Sequence, residues 1–216
     1  VFGADSDVVK SRRVATVQAI GGTGGLKVGA DFLKQVNGEA QVLISAPSWE
    51  NHRALFTRAG FDVAEYPYYD AKTRGIDFDA MRNALQMAPA GTIVVLHACC
   101  HNPTGVDLMP EQWDEVIAIV KANNLVPFLD MAYQGFGQGI AEDGAAVAKF
   151  VASGVDLFVA TSFSNESTSV ASSRPRGGRL SPVSWVATTA SAAVAAPESS
   201  SATITRGPLV PGPNPS

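Results

Sequence analysis

The stretch Thr92-Ile93-Val94-Val95-Leu96-His97-Ala98-Cys99-Cys100-His101-Asn102-Pro103-Thr104-Gly105 decides the fold. Residues 92–97 form a continuous apolar run closed by a histidine. A strand wetted on one face would alternate apolar and polar residues; a strand covered on both faces reads like this one. The run leads into a polar turn, with Asn-Pro and Gly as its punctuation. A buried strand that empties into a polar loop is the repeating unit of a parallel sheet with helices on both faces.

Working outward, the same alternation recurs. Downstream, 110–122 has helical spacing, Pro at its first turn and Glu111, Asp114 and Glu115 near its start. Then come a second apolar strand at 125–130, a helix at 141–151 and a strand at 157–162. Upstream, 77–87 is a helix with Asp77 as candidate N-cap. Before it lie a strand at 62–66, a helix at 51–59 stopped by Gly60, and a strand at 41–45. A further helix at 24–36 is opened by the run Gly21-Gly22-Thr23-Gly24-Gly25. The expected fold class is therefore α/β, three-layered, with a mostly parallel sheet.

The chain has 216 residues and a net charge of -4, without Lys/Arg runs, which argues against nucleic acid or an anionic membrane as partner. No apolar run reaches the roughly 20 residues of a membrane span. No signal peptide is read at residues 1–13, and the two adjacent cysteines have nothing else to pair with, so a reduced, cytoplasmic chain is expected.

The composition changes inside the chain. Of the 51 residues from Glu166 to Ser216, 26 are Ser, Ala or Pro, and the segment has no Phe, Tyr, Asp or Lys. Such a stretch buries too little apolar surface to offset chain entropy. The chain therefore divides into two units: 1–164, of alternating strands and helices, and 165–216, a low-complexity, irregular tail.

Ligands of open α/β sheets gather beyond the carboxyl ends of the strands, and four loops there carry unusual residues. The glycine run 21–25 before a helix is an anion cradle or a plain turn; it matches neither the dinucleotide nor the Walker pattern. Trp49, in Pro47-Ser48-Trp49-Glu50-Asn51-His52, is a surface for stacking a flat ring, or a core residue with Ser48 as helix cap. The quartet His97, Cys99, Cys100 and His101 invites a zinc reading, but the spacing is wrong for paired ligands, and no metal is expected. Asp130 closes the 125–130 strand. A buried carboxylate there needs a cationic partner, such as a protonated ring nitrogen, unless it caps a helix. Tyr133 lies three residues on, close enough to meet the same ligand.

Together, GGTGGL (21–26), PSWENH (47–52), YPYYDA (66–71), HACCHNPTGVD (97–107), DMAYQGF (130–136) and TSFS (161–164) resemble the class I pyridoxal-phosphate-dependent aminotransferases of the aspartate/aromatic amino acid group. The resemblance covers residues 1 to about 164. It implies that Gly22 and Thr23, with Ser162, hold the cofactor phosphate, and that Ser164 is a further cofactor-binding residue. Trp49 would stack on the pyridine ring, and Asn102 and Tyr133 would hydrogen-bond its phenolic oxygen. Asp130 would pair with the pyridinium nitrogen, with His52 supporting it from behind. The implied reaction moves an amino group from aspartate or an aromatic amino acid to a 2-oxo acid, in a homodimer.

The sequence departs from that family in one motif. The lysine that forms the Schiff base with the cofactor normally follows the serine pair; here Ser162-Phe163-Ser164 is followed by Asn165. The last lysine of the chain is Lys149. No catalytic residue is therefore assigned. The Tyr-x-x-Arg segment, the carboxylate-gripping arginine of the small domain and the N-terminal part of the family also have no counterpart. The composition after Ser164 is that of GC-rich coding DNA read out of frame, and the expectation is a fragment that is catalytically inactive as written.

Overall fold

The computed structural model describes residue 2 and residues 7–11, 13–162 and 186–190. Ser164, Asn165 and, apart from 186–190, the remainder of the 165–216 tail lie outside the described residues.

In chain order the elements are α1 (Asp7–Lys10), β1 (Ala15–Ala19), α2 (Gly21–Val36), β2 (Gln41–Ala46), α3 (Glu50–Arg58), β3 (Asp62–Pro67), β4 (Tyr69–Asp70), β5 (Gly75–Ile76), α4 (Phe78–Met87), β6 (Ile93–His97), α5 (Pro110–Ala122), β7 (Val126–Met131), α6 (Ile140–Asp143), α7 (Ala145–Ser153), β8 (Phe158–Thr161) and β9 (Val186–Ala190). The main sheet runs β1-β9-β8-β7-β6-β2-β3. Pairings among β3, β2, β6, β7 and β8 are parallel, whereas β9 runs antiparallel to both β8 and β1.

The core divides into two layers by the period-2 alternation of strand side chains. Ile93, Val95 and Phe128 pack with Leu26, Ala30 and Phe56 of α2 and α3. Val94, Leu96 and Leu129 pack on the other face with Met81, Val116 and Phe150 of α4, α5 and α7. Continuous apolar runs are what such doubly covered strands require. Asp77 caps α4, its carboxylate accepting from the Ala80 N–H at 3.1 Å, a cap of about 1 kcal/mol.

Most expected elements are found to within a residue or two; two differ in extent, and α1, β1, β4, β5 and β9 were not expected. α2 starts at Gly21, so the glycine run lies inside the helix. Further along the same helix Gly29 is required by close approach, since a Cβ there would lie 2.5 Å from the Phe128 ring. The 141–151 helix is broken at Gly144 into α6 and α7. Asp143 turns back to accept from the N–H groups of Gly135, Gly137 and Gln138, which ties the preceding loop to the break. β1, with four of its five residues exposed, has no apolar run to announce it. β9 lies within the segment read as an irregular tail; its sequence VATTA carries three β-branched residues, which suit a strand.

β2 and β6 are parallel neighbours, yet the chain continues from β2 to β3 on one side and from β6 to β7 on the other. That reversal opens a crevice at their carboxyl ends, the place where ligands of such sheets bind.

Candidate functional site

A cavity of about 260 Å³ lies in that crevice. Gly22, Thr23, Trp49, Asn102, Asp130, Tyr133 and Ser162 line it, together with His97. They come from the start of α2 and from the ends of β2, β6, β7 and β8.

Register brings the central pair together. His97 closes β6 and Asp130 sits directly opposite on β7. Both follow the face of Val95 and Phe128, toward α2 and α3. His52 descends on this pair from the first turns of α3, fully buried. Its Nε2 lies 2.8 Å from Asp130 Oδ2, and its Nδ1 lies 2.9 Å from the Ser48 hydroxyl. A carboxylate only accepts, so the His52 Nε2–H donates to it. Asp130 is thus a buried acid with one charge-assisted bond, not a helix cap; it is 5% exposed and borders the cavity. Ser48 holds His52 rather than capping α3, whose N-cap residue is Trp49. The Trp49 indole meets the His52 ring edge-on at 5.4 Å.

The His97–Gly105 loop is fixed from within. The Asp107 carboxylate accepts from the N–H groups of Cys100 and His101 at 2.7 and 2.8 Å. His101 stacks on Tyr68 at 4.0 Å and bonds Ser45 and Thr104 through its two ring nitrogens, at 2.9 and 2.8 Å. Burial, reinforced by nearby His52, lowers its pKa to about 4. Asn102, with a cis bond to Pro103, is thereby carried to the cavity rim.

The remaining wall is the amino end of α2. Its N-cap residue Ile20 makes no side-chain cap, and its first turn holds no acidic residue. The first N–H groups of a helix lack intrahelical partners and favour an anion. Ser162 stands across from Gly22, where an added Cβ would come within 3.6 Å of the serine Cβ.

The zinc quartet does not converge as a unit. His97 groups with His52 and Asp130, while Cys99 and Cys100 group with Asp143. Asp143 already accepts three backbone N–H groups. Burial holds both thiols above their ordinary pKa, away from the thiolate a metal requires.

The residues present fit pyridoxal phosphate: a helix amino end with glycines and hydroxyls for the phosphate, an indole for the ring, and a buried, histidine-backed carboxylate for its nitrogen. Sequence reasoning missed the places of His97 and Ser48; equal-length apolar runs ending in His97 and Asp130 were the available signal.

A sequence profile described as aminotransferase class I and II matches residues 1–195. The chain belongs to this family. It is 57% identical over 164 residues to the aspartate aminotransferase of Pseudomonas aeruginosa, covering 76% of this chain and 41% of that protein. Against the aromatic-amino-acid aminotransferase of Escherichia coli the identity is 54%, with the same coverage of each chain. Among solved structures, the aromatic-amino-acid aminotransferase from Burkholderia pseudomallei covalently bound to pyridoxal phosphate superposes with a TM-score of 0.78 at 55% identity, over 88% of this chain and 45% of that one. The chain spans about two fifths of the curated relatives it matches. The profile runs past residue 164 and through β9, further than the resemblance read from the motifs.

Proposed function

We propose that this chain is the cofactor-binding part of a pyridoxal-phosphate-dependent aminotransferase that moves an amino group from aspartate or an aromatic amino acid to a 2-oxo acid. The observation that carries the reading is the convergence on one cavity of Asp130, backed by His52, with Trp49, Asn102, Tyr133 and the amino end of α2. Bound pyridoxal phosphate supplies a protonated aromatic ring that withdraws electrons from the α-carbon of an attached amino acid.

The chain's own residues do the rest. Asp130 keeps the ring nitrogen protonated by pairing with it, and His52 holds that carboxylate in place from a fully buried position. Trp49 covers one face of the ring. Asn102 and Tyr133 take the phenolic oxygen, Gly22, Thr23 and Ser162 take the phosphate, and Ser164 is a further cofactor-binding residue. The homodimer comes from the family resemblance. A cytoplasmic location rests on the unpaired cysteines, and the relatives include one named as cytoplasmic, from Oryza sativa.

A second reading is favoured by Asn165, at the position where the resemblance puts the lysine. An amide cannot bond the cofactor covalently or take the α-proton at neutral pH. On this reading the chain as written holds the cofactor without turning it over, and 165–216 is an out-of-frame tail. Borohydride reduction after adding pyridoxal phosphate separates the two. Absence of a covalent pyridoxyl group on any single lysine is expected for the inactive chain; one specific labelled lysine would overturn it.

A further inference from the structure

All three histidines of the chain meet at the carboxyl ends of β2, β6 and β7. The ring centroids of His52 and His97 are 4.9 Å apart, and those of His97 and His101 are 4.2 Å apart. The outer two are fully engaged by protein, His52 by Ser48 and Asp130, and His101 by Ser45 and Thr104. His97, between them, differs. It is 9% exposed, and among the described residues neither of its ring nitrogens has a hydrogen-bond partner.

An imidazole buried without partners is worse for folding than an apolar ring of the same size. Leu96 and Val95, its neighbours on β6, show that apolar side chains fill this strand readily. His97 borders the same cavity as Asp130, Asn102 and Tyr133. Its strand is the one whose loop carries Asn102, and its register partner is Asp130. Burial, with repulsion from His52 and His101, keeps the ring neutral well below the usual histidine range. A neutral imidazole offers one donor and one acceptor.

We propose that His97 is a further cofactor-binding residue, whose ring N–H donates to the phenolic oxygen of the bound pyridine ring, directly or through one water, beside Asn102 and Tyr133. The donor serves that oxygen better than a charged group would, because it leaves the pairing of Asp130 with the ring nitrogen undisturbed. This inference rests on the cofactor reading above.

The test uses the full chain with 15N-labelled histidine and pyridoxal phosphate as the probe. On saturation the His97 ring-nitrogen resonances shift, whereas those of His101, already engaged by two hydroxyls, stay in place. His97→Phe weakens pyridoxal phosphate binding about tenfold, and His97→Gln, which retains a donor, stays within about threefold of the original chain. Thermal unfolding of cofactor-free His97→Phe is unchanged or shifted upward, since an unpaired polar group has been removed. Saturable binding to the original chain with unmoved His97 resonances, or undiminished binding by His97→Phe, overturns the proposal alone. No saturable binding to the original chain overturns the cofactor reading and this proposal with it.

Discussion

The two ends of the sheet carry cavities of opposite character. At the amino ends of β7 and β8 a groove of about 410 Å³ is walled by Phe32, Val36 and Phe158. Its polar groups hold loops together: Asn37 donates to the Gly91 carbonyl at 2.8 Å, and Lys121 to the Ser153 carbonyl at 3.3 Å. At the carboxyl ends the cavity is smaller, about 260 Å³. There the polar groups converge on the space itself, and one of them, His97, has no protein partner among the described residues. Volume does not distinguish a site from a gap; the direction in which buried polar groups are satisfied does.

Phe128 lies mid-strand between the two ends, fully buried under Gly29. Phe128→Ala should lower stability by about 3–5 kcal/mol in urea unfolding. A loss below ~1 kcal/mol would mean that the α2–sheet layer is not packed as described.

Breaking the carboxyl end alone comes next. Asp130→Ala removes the partner of the ring nitrogen and leaves His52 Nε2 buried and unpaired. Affinity for pyridoxal phosphate should fall by about a hundredfold or more, on the order of 3 kcal/mol, in a fluorescence titration.

The same end should sense acid. The folded chain holds His101 at about 4, below the ordinary value of about 6.5. The unfolded chain therefore binds more protons between these values, so stability is level above about pH 7 and falls as pH drops from about 6.5 toward 4. The slope is at most about 1.4 kcal/mol per pH unit from this residue. Urea midpoints at pH 7, 6 and 5 measure it, and His101→Gln should reduce the slope, leaving the part that His97, also held neutral, contributes.

The smallest effect belongs to the amino end. Val36, 58% exposed, borders the groove and no polar network. Val36→Ser should change stability by no more than about 0.5 kcal/mol and leave pyridoxal phosphate binding unchanged.

The legible parts of the fold were those whose burial shows in residue order. β2, β6 and β7 are covered on both faces, so each reads as an apolar run, and the loops that leave them read as polar turns. β1 is exposed along most of its length, and β9 sits in Ser/Ala/Pro-rich text, so neither stands out from its surroundings. The glycine run at the start of α2 read as a loop because consecutive glycines carry no helical signal in the sequence. Asp130 was legible as a candidate because a carboxylate is out of place in a buried strand end, and Trp49, Asn102 and Tyr133 because they stand in the loops beyond such ends within the motifs that carry the resemblance. His97 read only as one of a His/Cys quartet whose spacing argues against zinc, because only strand register shows that it sits opposite Asp130.

On the proposed reading, the carboxyl-end cavity, and not the larger groove, is built for a phosphorylated pyridine. Equilibrium titration of the intact chain with pyridoxal phosphate, alongside Asp130→Ala and Val36→Ser, puts that reading at risk in a single experiment. Saturable one-to-one binding is expected, weakened about a hundredfold or more by Asp130→Ala and left intact by Val36→Ser. Absence of saturable binding, or binding that Asp130→Ala leaves undiminished, would refute it.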